Sequence, residues 1–548
     1  MRNPFSYSAL ISTRFKLIVC LTIILITAIV FPMWVGHNVN DQEKVFSGVV
    51  GLYPSDSFYY LALGPAEMAD GQRLMGEDKF MRADKAMFIN PIGNCIALIS
   101  DLTKWDNTTS FFLYRLFAAM LLVISFVRLS SIFLSGVIFR LLALSLFVFG
   151  GGWDVCIDSL GAYSWSLTAP EMNPFIACIG EYYIPTATAL LLFYLARLLR
   201  LLRAKTPLRK DLFVSGTLLF LLGIVYIYAM LIAICLTASL LLYDRLKKGG
   251  ATTGTVKIIV WNALFSLPVI TYYTWLYTNL NSAAQDDGWV IGPSLVETLL
   301  TNFWVAVPAI LLVVFSLVKK DKRDDWMALA VWVVTVLVIT RIPPPYLPFQ
   351  VQAHVGLSAP LCIMTAVGLQ RLYSSGRINR FNKPLALSIS ALVLFLSMQA
   401  NWKFYSQMLN RIEQMEYPEF VNKDELESFT WIRENLPQSS TFAVVEERAR
   451  MLAGTTGCRV FYKSASLGVP TEEKRVLAKW ADSLSLMDET CPCELIDYGI
   501  THLFIEASFK ERYLSGFLTN EVPCAKQIHA TYGTSIWELQ HSKRQSDE

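Results

Sequence analysis

Apolar residues along this chain gather in blocks, and the blocks recur from end to end. The first runs from Lys16 to Gly36, and others follow at about 111–133, 136–151, 183–202, 212–227, 229–243, 257–279, 298–318, 326–342, 353–370 and 384–402. An apolar run of ~20 residues is long enough to cross the hydrocarbon of a bilayer as a helix. Only structures that satisfy their own backbone groups can do so, and for such runs that means helices. The pattern predicts a polytopic α-helical membrane protein with about eleven transmembrane helices. Basic residues flank both ends of 212–243, which favours a hairpin of two short spans turning near Tyr226 to Ala229 over one long helix.

Two polar regions interrupt this pattern. Residues 37–110 are too many for a simple connector, and residues 403–548 are enough for a separate domain. The expected division is therefore a membrane module over 1–402, with 37–110 as its large first outer loop, and a C-terminal domain over 403–548. That tail mixes periodicities. Glu425 to Asn435 and Glu472 to Leu484 read as helices. Thr441 to Glu446, Arg459 to Lys463 and His502 to Glu506 read as strands, and Lys526 to Leu539, with Tyr532-Gly533 inside, reads as a closing hairpin. A small α/β domain follows.

Charge fixes the orientation. Lys and Arg cluster at 197–210, 245–248, 319–323 and 371–383, all on one side of the expected membrane, the same side as Arg2, Arg14 and Lys16. The N-terminus is expected in the cytoplasm and the C-terminus outside it, in a bacterial inner (plasma) membrane. The first run is too long for a signal-peptide core, and no A-x-A-like site follows it. Composition agrees: 54% apolar and 17% charged residues exclude an ordinary soluble enzyme. A net charge of +3, with the basic residues in short loops, gives no nucleic-acid footprint. There is no nucleotide-binding glycine motif. The five histidines, at 37, 354, 502, 529 and 541, show no metal-ligand spacing. Four cysteines of the tail, Cys458, Cys491, Cys493 and Cys524, are disulfide candidates in an oxidising compartment, with three pairings open. Four buried thiols are the alternative.

Candidate chemistry lies on the outer side. Asp56, in Tyr53-Pro54-Ser55-Asp56-Ser57-Phe58-Tyr59-Tyr60-Leu61, sits among interfacial aromatics where partial desolvation suits a general base. It also reads as a helix N-cap. Arg73, Lys79, Arg82 and Lys85 suit a phosphate, or a solvated helix with Glu77, Asp78 and Asp84 as counter-ions. The second outer loop offers Asp154, Asp158 and Glu171 behind Gly150-Gly151-Gly152. Asp154 and Asp158 would share a helix face and suit a divalent cation such as Mg or Mn, or serve as interfacial polar groups. Four prolines between Arg341 and Pro348 break a helix at the outer face, close to Gln350, Gln352 and His354. Arg341 either snorkels to headgroups or faces a lipid-linked phosphate, and His354 is the further phosphate candidate of this segment.

The chain resembles the GT-C superfamily of polyprenyl-phosphate-sugar-dependent glycosyltransferases, which includes protein O-mannosyltransferases, lipid A aminoarabinose transferases and the oligosaccharyltransferase catalytic subunit. Asp56-Ser57-Phe58-Tyr59-Tyr60-Leu61 resembles the family's first-loop acid followed by aromatics. Trp431-Ile432-Arg433-Glu434-Asn435-Leu436-Pro437 resembles the helix that opens the outer domain, and Tyr498-Gly499-Ile500-Thr501-His502-Leu503-Phe504-Ile505 its later helix-to-strand turn. The resemblance implies transfer of a hexose or pentose from a polyprenyl phosphate to a glycan, lipid or protein acceptor at the outer face. Asp56 would be the base and the anomeric carbon would invert. No second-loop D-x-D stands here, so metal use by Asp56, Asp154 and Asp158 stays open. Two other readings are an O-antigen polymerase or ligase, which usually lacks a separate tail domain, and a flippase or transporter, which predicts internal repeats.

Overall fold

A computed structural model describes residues 5–39, 41–51, 89–153, 156–157, 162–163, 165, 167, 169–181, 183–204, 207–248, 253–279, 292–318, 326–343, 350–374, 382–437, 439–444, 446–461, 495–496, 499–506 and 524–540. Its contacts divide the chain into two units. One comprises Met1–Pro32, Leu113–Tyr273 and Trp289–Asn410; the other comprises Met33–Phe112, Thr274–Gly288 and Arg411–Glu548. Contacts thus group the base of the first outer loop with the tail, whereas the sequence pattern assigned it to the membrane module.

The first unit is helical. Among the described residues, seven helices are long and apolar enough to cross a membrane: Ile18–Asn38, Asn107–Ser130, Tyr183–Arg203, Ile227–Lys247, Gly254–Leu276, Gln350–Ser374 and Lys383–Glu413. A further pair, Leu295–Thr301 and Phe303–Ser316, qualifies if its 105° bend belongs to one broken span, which makes up to eight. The expectation was about eleven. The difference lies in Val137–Phe149, Arg209–Val225 and Met327–Ile339, apolar helices of 13, 17 and 13 residues, shorter than a full crossing. The expected break near Tyr226 is present. Arg209–Val225 ends there, Ile227–Lys248 begins after it, and the two helices pack together with Tyr183–Arg203.

Two helices are buried on nearly all sides. Ser358–Ser374 packs against Val137–Phe149, Phe303–Val318, Met327–Ile339 and Asn382–Ser397, and is buried from Ser358 through Val367. Tyr183–Arg203 is similarly enclosed. A helix apolar all round belongs inside a bundle. Others turn apolar side chains outward, such as Val256, Ile259, Val260, Leu264 and Leu267 on Thr253–Asn279. In water such a face would be a liability; here it suits lipid. The chain is an integral membrane protein. Small residues set the closest approaches: a Cβ on Gly216 would fall 2.4 Å from the Phe265 ring, the kind of contact that joins helices in lipid.

In the second unit, strand β1 (Lys44–Phe46) pairs antiparallel with β4 (Phe420–Asn422); β2 (Cys156–Ile157) and β3 (Ala162–Tyr163) form a hairpin in the first unit. The tail carries a mixed sheet of β5 (Thr441–Ala443), β6 (Arg459–Phe461), β7 (His502–Glu506), β8 (Ala525–Ala530) and β9 (Thr534–Leu539), in the order β6-β5-β7-β9-β8. β5 is parallel to β6 and β7, and β9 is antiparallel to β7 and β8. One apolar cluster comprises Ala443, Leu495, Ile500, Leu503, Ile505 and Leu539. Helix Lys423–Asn435 brings Phe429 to within 5.3 Å of Phe504. The strand expected over Thr441 to Glu446 ends at Ala443, because Glu446–Thr456 is a helix. Cys524 is disulfide-bonded. The buried Cys458 takes no part in a disulfide, and Cys491 and Cys493 lie outside the described residues.

Candidate functional site

Asp56, Arg73, Lys79, Arg82, Lys85, Asp154 and Asp158 lie outside the described residues. Glu171, Arg341 and His354 lie within them, all in the first unit.

The second outer loop, which carries Glu171, is a built structure. Gly150 caps Val137–Phe149, and a Cβ there would sit 2.1 Å from the Leu146 carbonyl oxygen. Gly151 N donates to Ser397 O at 2.6 Å, Trp153 N to Leu300 O at 3.1 Å, and Trp165 N to Thr301 Oγ1 at 2.9 Å. Asn173 closes the loop. Its Oδ1 accepts from Phe175 N at 3.2 Å, capping Pro174–Gly180 with proline in the first turn. Its Nδ2 donates to Asn401 Oδ1 at 2.6 Å, and Asn401 Nδ2 donates to Phe149 O at 2.7 Å. Asn401, buried, therefore clasps both ends of the loop.

Beside it lies a buried charged group that sequence reasoning missed. Arg115, 2% exposed, interacts electrostatically with Glu181, 4% exposed. The neighbouring Tyr114 hydroxyl hydrogen-bonds Thr186 at 2.9 Å. Ionisable side chains at membrane depth are costly and point to function by default. Glu171 is buried as well, and burial pushes its carboxyl up to about 7, against a partial lowering from its own backbone and the Tyr226 hydroxyl. Tyr226 in turn packs between Tyr183 and Tyr228, with ring centroids at 5.1 and 5.8 Å. A carboxyl that titrates near neutrality accepts and returns protons readily. The signal for Arg115 was a lone arginine inside an apolar run.

The proline-rich break is tied into a second cluster. Arg341 Nη2 donates to Pro293 O at 2.7 Å. Gln350 Nε2 donates to Ile342 O at 2.5 Å, while its Oε1 accepts from Gly292 N at 3.0 Å. Ser294 and Glu297 form a reciprocal cap on Leu295–Thr301, the first arm of the 105° bend. His354 is fully buried, with Nδ1 3.2 Å from Val351 O and Nε2 3.4 Å from Thr298 Oγ1. Arg341 and His354 are thus brought to one cluster. As it stands His354 braces that cluster, and contact with a phosphate would require one of its two ring contacts to open. Irregular backbone at this depth is tolerated where it is buried in protein or lines a cavity.

Among the described residues no group of three or more His, Cys, Asp or Glu could hold a metal ion, and the acids named for a divalent cation lie outside them.

No protein-family model matches the chain, and no curated protein matches its sequence. Solved structures do match its shape. The arabinofuranosyltransferase AftD from Mycobacteria shares 14% identity over 94% of this chain, with a TM-score of 0.59; the chain spans 40% of the AftD chain. ArnT from Cupriavidus metallidurans in its apo state matches end to end, at 11% identity over 96% of this chain and 98% of that one, with a TM-score of 0.53. ArnT bound to undecaprenyl phosphate matches at 12% identity over 96% and 97%, also with a TM-score of 0.53. With its apolar bundle, its clasped second loop and its mixed-sheet tail, the chain shares the fold of AftD and ArnT.

Proposed function

We propose that the protein is a membrane glycosyltransferase that moves a hexose or pentose from a polyprenyl-phosphate donor to a glycan, lipid or protein acceptor at the outer membrane face. The carrying observation is the end-to-end match to ArnT, whose structure has been seen with undecaprenyl phosphate. Outward-facing apolar helices suit an isoprenoid chain. In this reading the acceptor hydroxyl or amine attacks the anomeric carbon. The bond from that carbon to the donor phosphate oxygen breaks, a new bond to the acceptor forms, and the configuration inverts. Asp56 takes the acceptor proton. Arg73, Lys79, Arg82, Lys85 and Arg341 hold the phosphate as its charge develops, with His354 beside Arg341. If a divalent cation takes part, Asp56, Asp154 and Asp158 are its ligands. In this reading the three shorter apolar helices also cross, and an N-terminus in the cytoplasm leaves the tail (403–548) and the first loop on the reacting side of the inner membrane. The helix Pro91–Thr103 exposes Leu98 (51%) and Leu102 (76%), and in this reading it rests on that surface.

The test uses the purified chain in lipid nanodiscs with radiolabelled polyprenyl-phosphate pentoses and hexoses. Release of polyprenyl phosphate coupled to label on an acceptor supports the reading, and Asp56→Asn should slow it roughly 10²–10⁴-fold at normal folded yield. Movement of intact donor across the bilayer without cleavage would make the protein a flippase instead.

A further inference from the structure

The tail helix Lys423–Asn435 has two faces. Glu425, Ser428, Phe429 and Ile432 are buried against the domain. The opposite stripe, at i, i+4, i+8 and i+11, carries Lys423, Glu427, Trp431 and Glu434. This stripe, with Leu426 and Thr430 of the same helix, Val45 of β1 and His529 of β8, lines a groove of about 450 Å³. The Trp431 indole and His529 imidazole stack with centroids 4.5 Å apart and planes 12° from parallel.

β8 is the outermost strand in the sheet order among the described residues, and its ladder with β9 shifts register between Gln527 and His529. Such a bulge re-aims a side chain and breaks the regular row of edge hydrogen bonds. The edge also carries Lys526 and Gln527, both exposed. Bulges and lysines guard edge strands against addition of another strand, so the groove is poorly suited to an extended peptide. Its lining suits a sugar. A flat aromatic surface packs against the C–H face of a saccharide ring, and carboxylates at its margins accept hydrogen bonds from ring hydroxyls. The volume falls within the roughly 300–1,000 Å³ of small-molecule sites. Two carboxylates against one ammonium repel an anionic sugar and admit a neutral or amino one.

We propose that this groove is a carbohydrate-binding subsite that holds a neutral or amino-sugar segment of a glycan acceptor. It rests on the glycosyltransferase reading only in naming the glycan as acceptor, because binding itself needs no transfer.

The experiment measures saturation-transfer NMR on the full chain in nanodiscs, without donor, against maltotriose, mannotriose, galactotriose, arabinotriose and chitotriose, with trigalacturonic acid as the anionic probe. At least one neutral or amino-sugar probe should bind, with Trp431→Ala weakening it about tenfold. Because Trp431 is half-buried, the surface variant Glu427→Gln/Glu434→Gln provides the second measure and should weaken the same probe several-fold at an unchanged melting temperature. Absence of binding by every neutral and amino probe, preference for trigalacturonic acid, or binding unchanged in both variants overturns the proposal. So does capture of a strand-forming peptide that competes with no saccharide. Saccharide binding without any transfer activity would leave the groove standing and refute the enzyme reading; transfer without saccharide binding would do the reverse.

Discussion

One terminal nitrogen of Arg411 donates to the Gly51 carbonyl at 2.7 Å and stands 2.7 Å from Glu419 Oε1. Glu419 is fully buried, so this arginine is its counter-charge and at the same time a tether on the first outer loop. Removing one partner of a buried pair strands the other. Arg411→Ala should destabilise the protein by about 3 kcal/mol or more. Arg411→Ala/Glu419→Gln should recover most of that loss, because the remaining amide carries no charge. Thermal unfolding in nanodiscs distinguishes the two, and equal losses would show that the tether to Gly51 matters more than the charge.

A second arginine serves two acids. Arg448 Nε lies 3.0 Å from both Glu425 Oε1 and Glu506 Oε1, with its guanidinium 3.7 Å from the Tyr417 ring centroid. One cation cannot neutralise two carboxylates. Burial, reinforced by Glu506 and opposed by Arg448, pushes Glu425 up to about 7. The folded state then holds a proton that the unfolded chain, with an ordinary carboxyl, releases at lower pH. Stability from this group is therefore full below about pH 4.5 and falls as pH rises towards 7. Glu425→Gln should flatten that slope, as read from melting temperatures across pH 4–8; a slope unchanged in the variant would assign it to other groups.

The glycines before the second loop should not be equivalent. A Cβ on Gly150 meets a backbone oxygen at 2.1 Å, whereas one on Gly151 meets side-chain atoms of Ala400, Asn401 and Asn173 at 3.2–3.3 Å. Side chains yield more easily than backbone. Gly150→Ala should cost about 1–3 kcal/mol or more, and Gly151→Ala less. Folded yield and melting temperature of the pair check the order.

Asn401→Ala should loosen both ends of that loop at once. It removes the hydrogen bonds to Phe149 O at 2.7 Å and from Asn173 Nδ2 at 2.6 Å, at about 1–3 kcal/mol for each buried hydrogen bond lost. Faster hydrogen exchange at Phe175 and Ile176, whose amides Asn173 caps, is the expected signature.

Much of this architecture can be read from the chain, and the parts that cannot share a cause. Apolar runs report their own length, so the apolar helices and the Tyr226 break are visible, but among the described residues only seven or eight of these helices are long enough to cross a membrane. Tyr532-Gly533 between alternating residues marked the β8–β9 hairpin. By contrast, Glu181 is legible as an acid near the start of the next span, whereas Arg115 is ordinary in its local window, since hydropathy averages over a single arginine. Their significance arises from a pairing between distant segments. Asn173 and Asn401 read as turn and surface residues until their side chains are seen to meet. The helix Glu446–Thr456 is not legible because Thr441 to Glu446 reads as one apolar strand, with nothing local to end it at Ala443. The acids and bases of the first loop were named from position and resemblance alone.

The β1–β4 pair has a consequence for how the protein is made. Lys44, in β1, donates through Nζ to Met415 O, 371 positions further on. At about 5–20 residues per second, the ribosome would emit that partner roughly 20–75 s after the lysine. The segment that holds Lys44 must therefore wait, its strand edge uncovered, while the chain between the two is made. Its final anchoring is a late event in biogenesis, and any chaperone on its side of the membrane would meet the nascent chain with this edge still open.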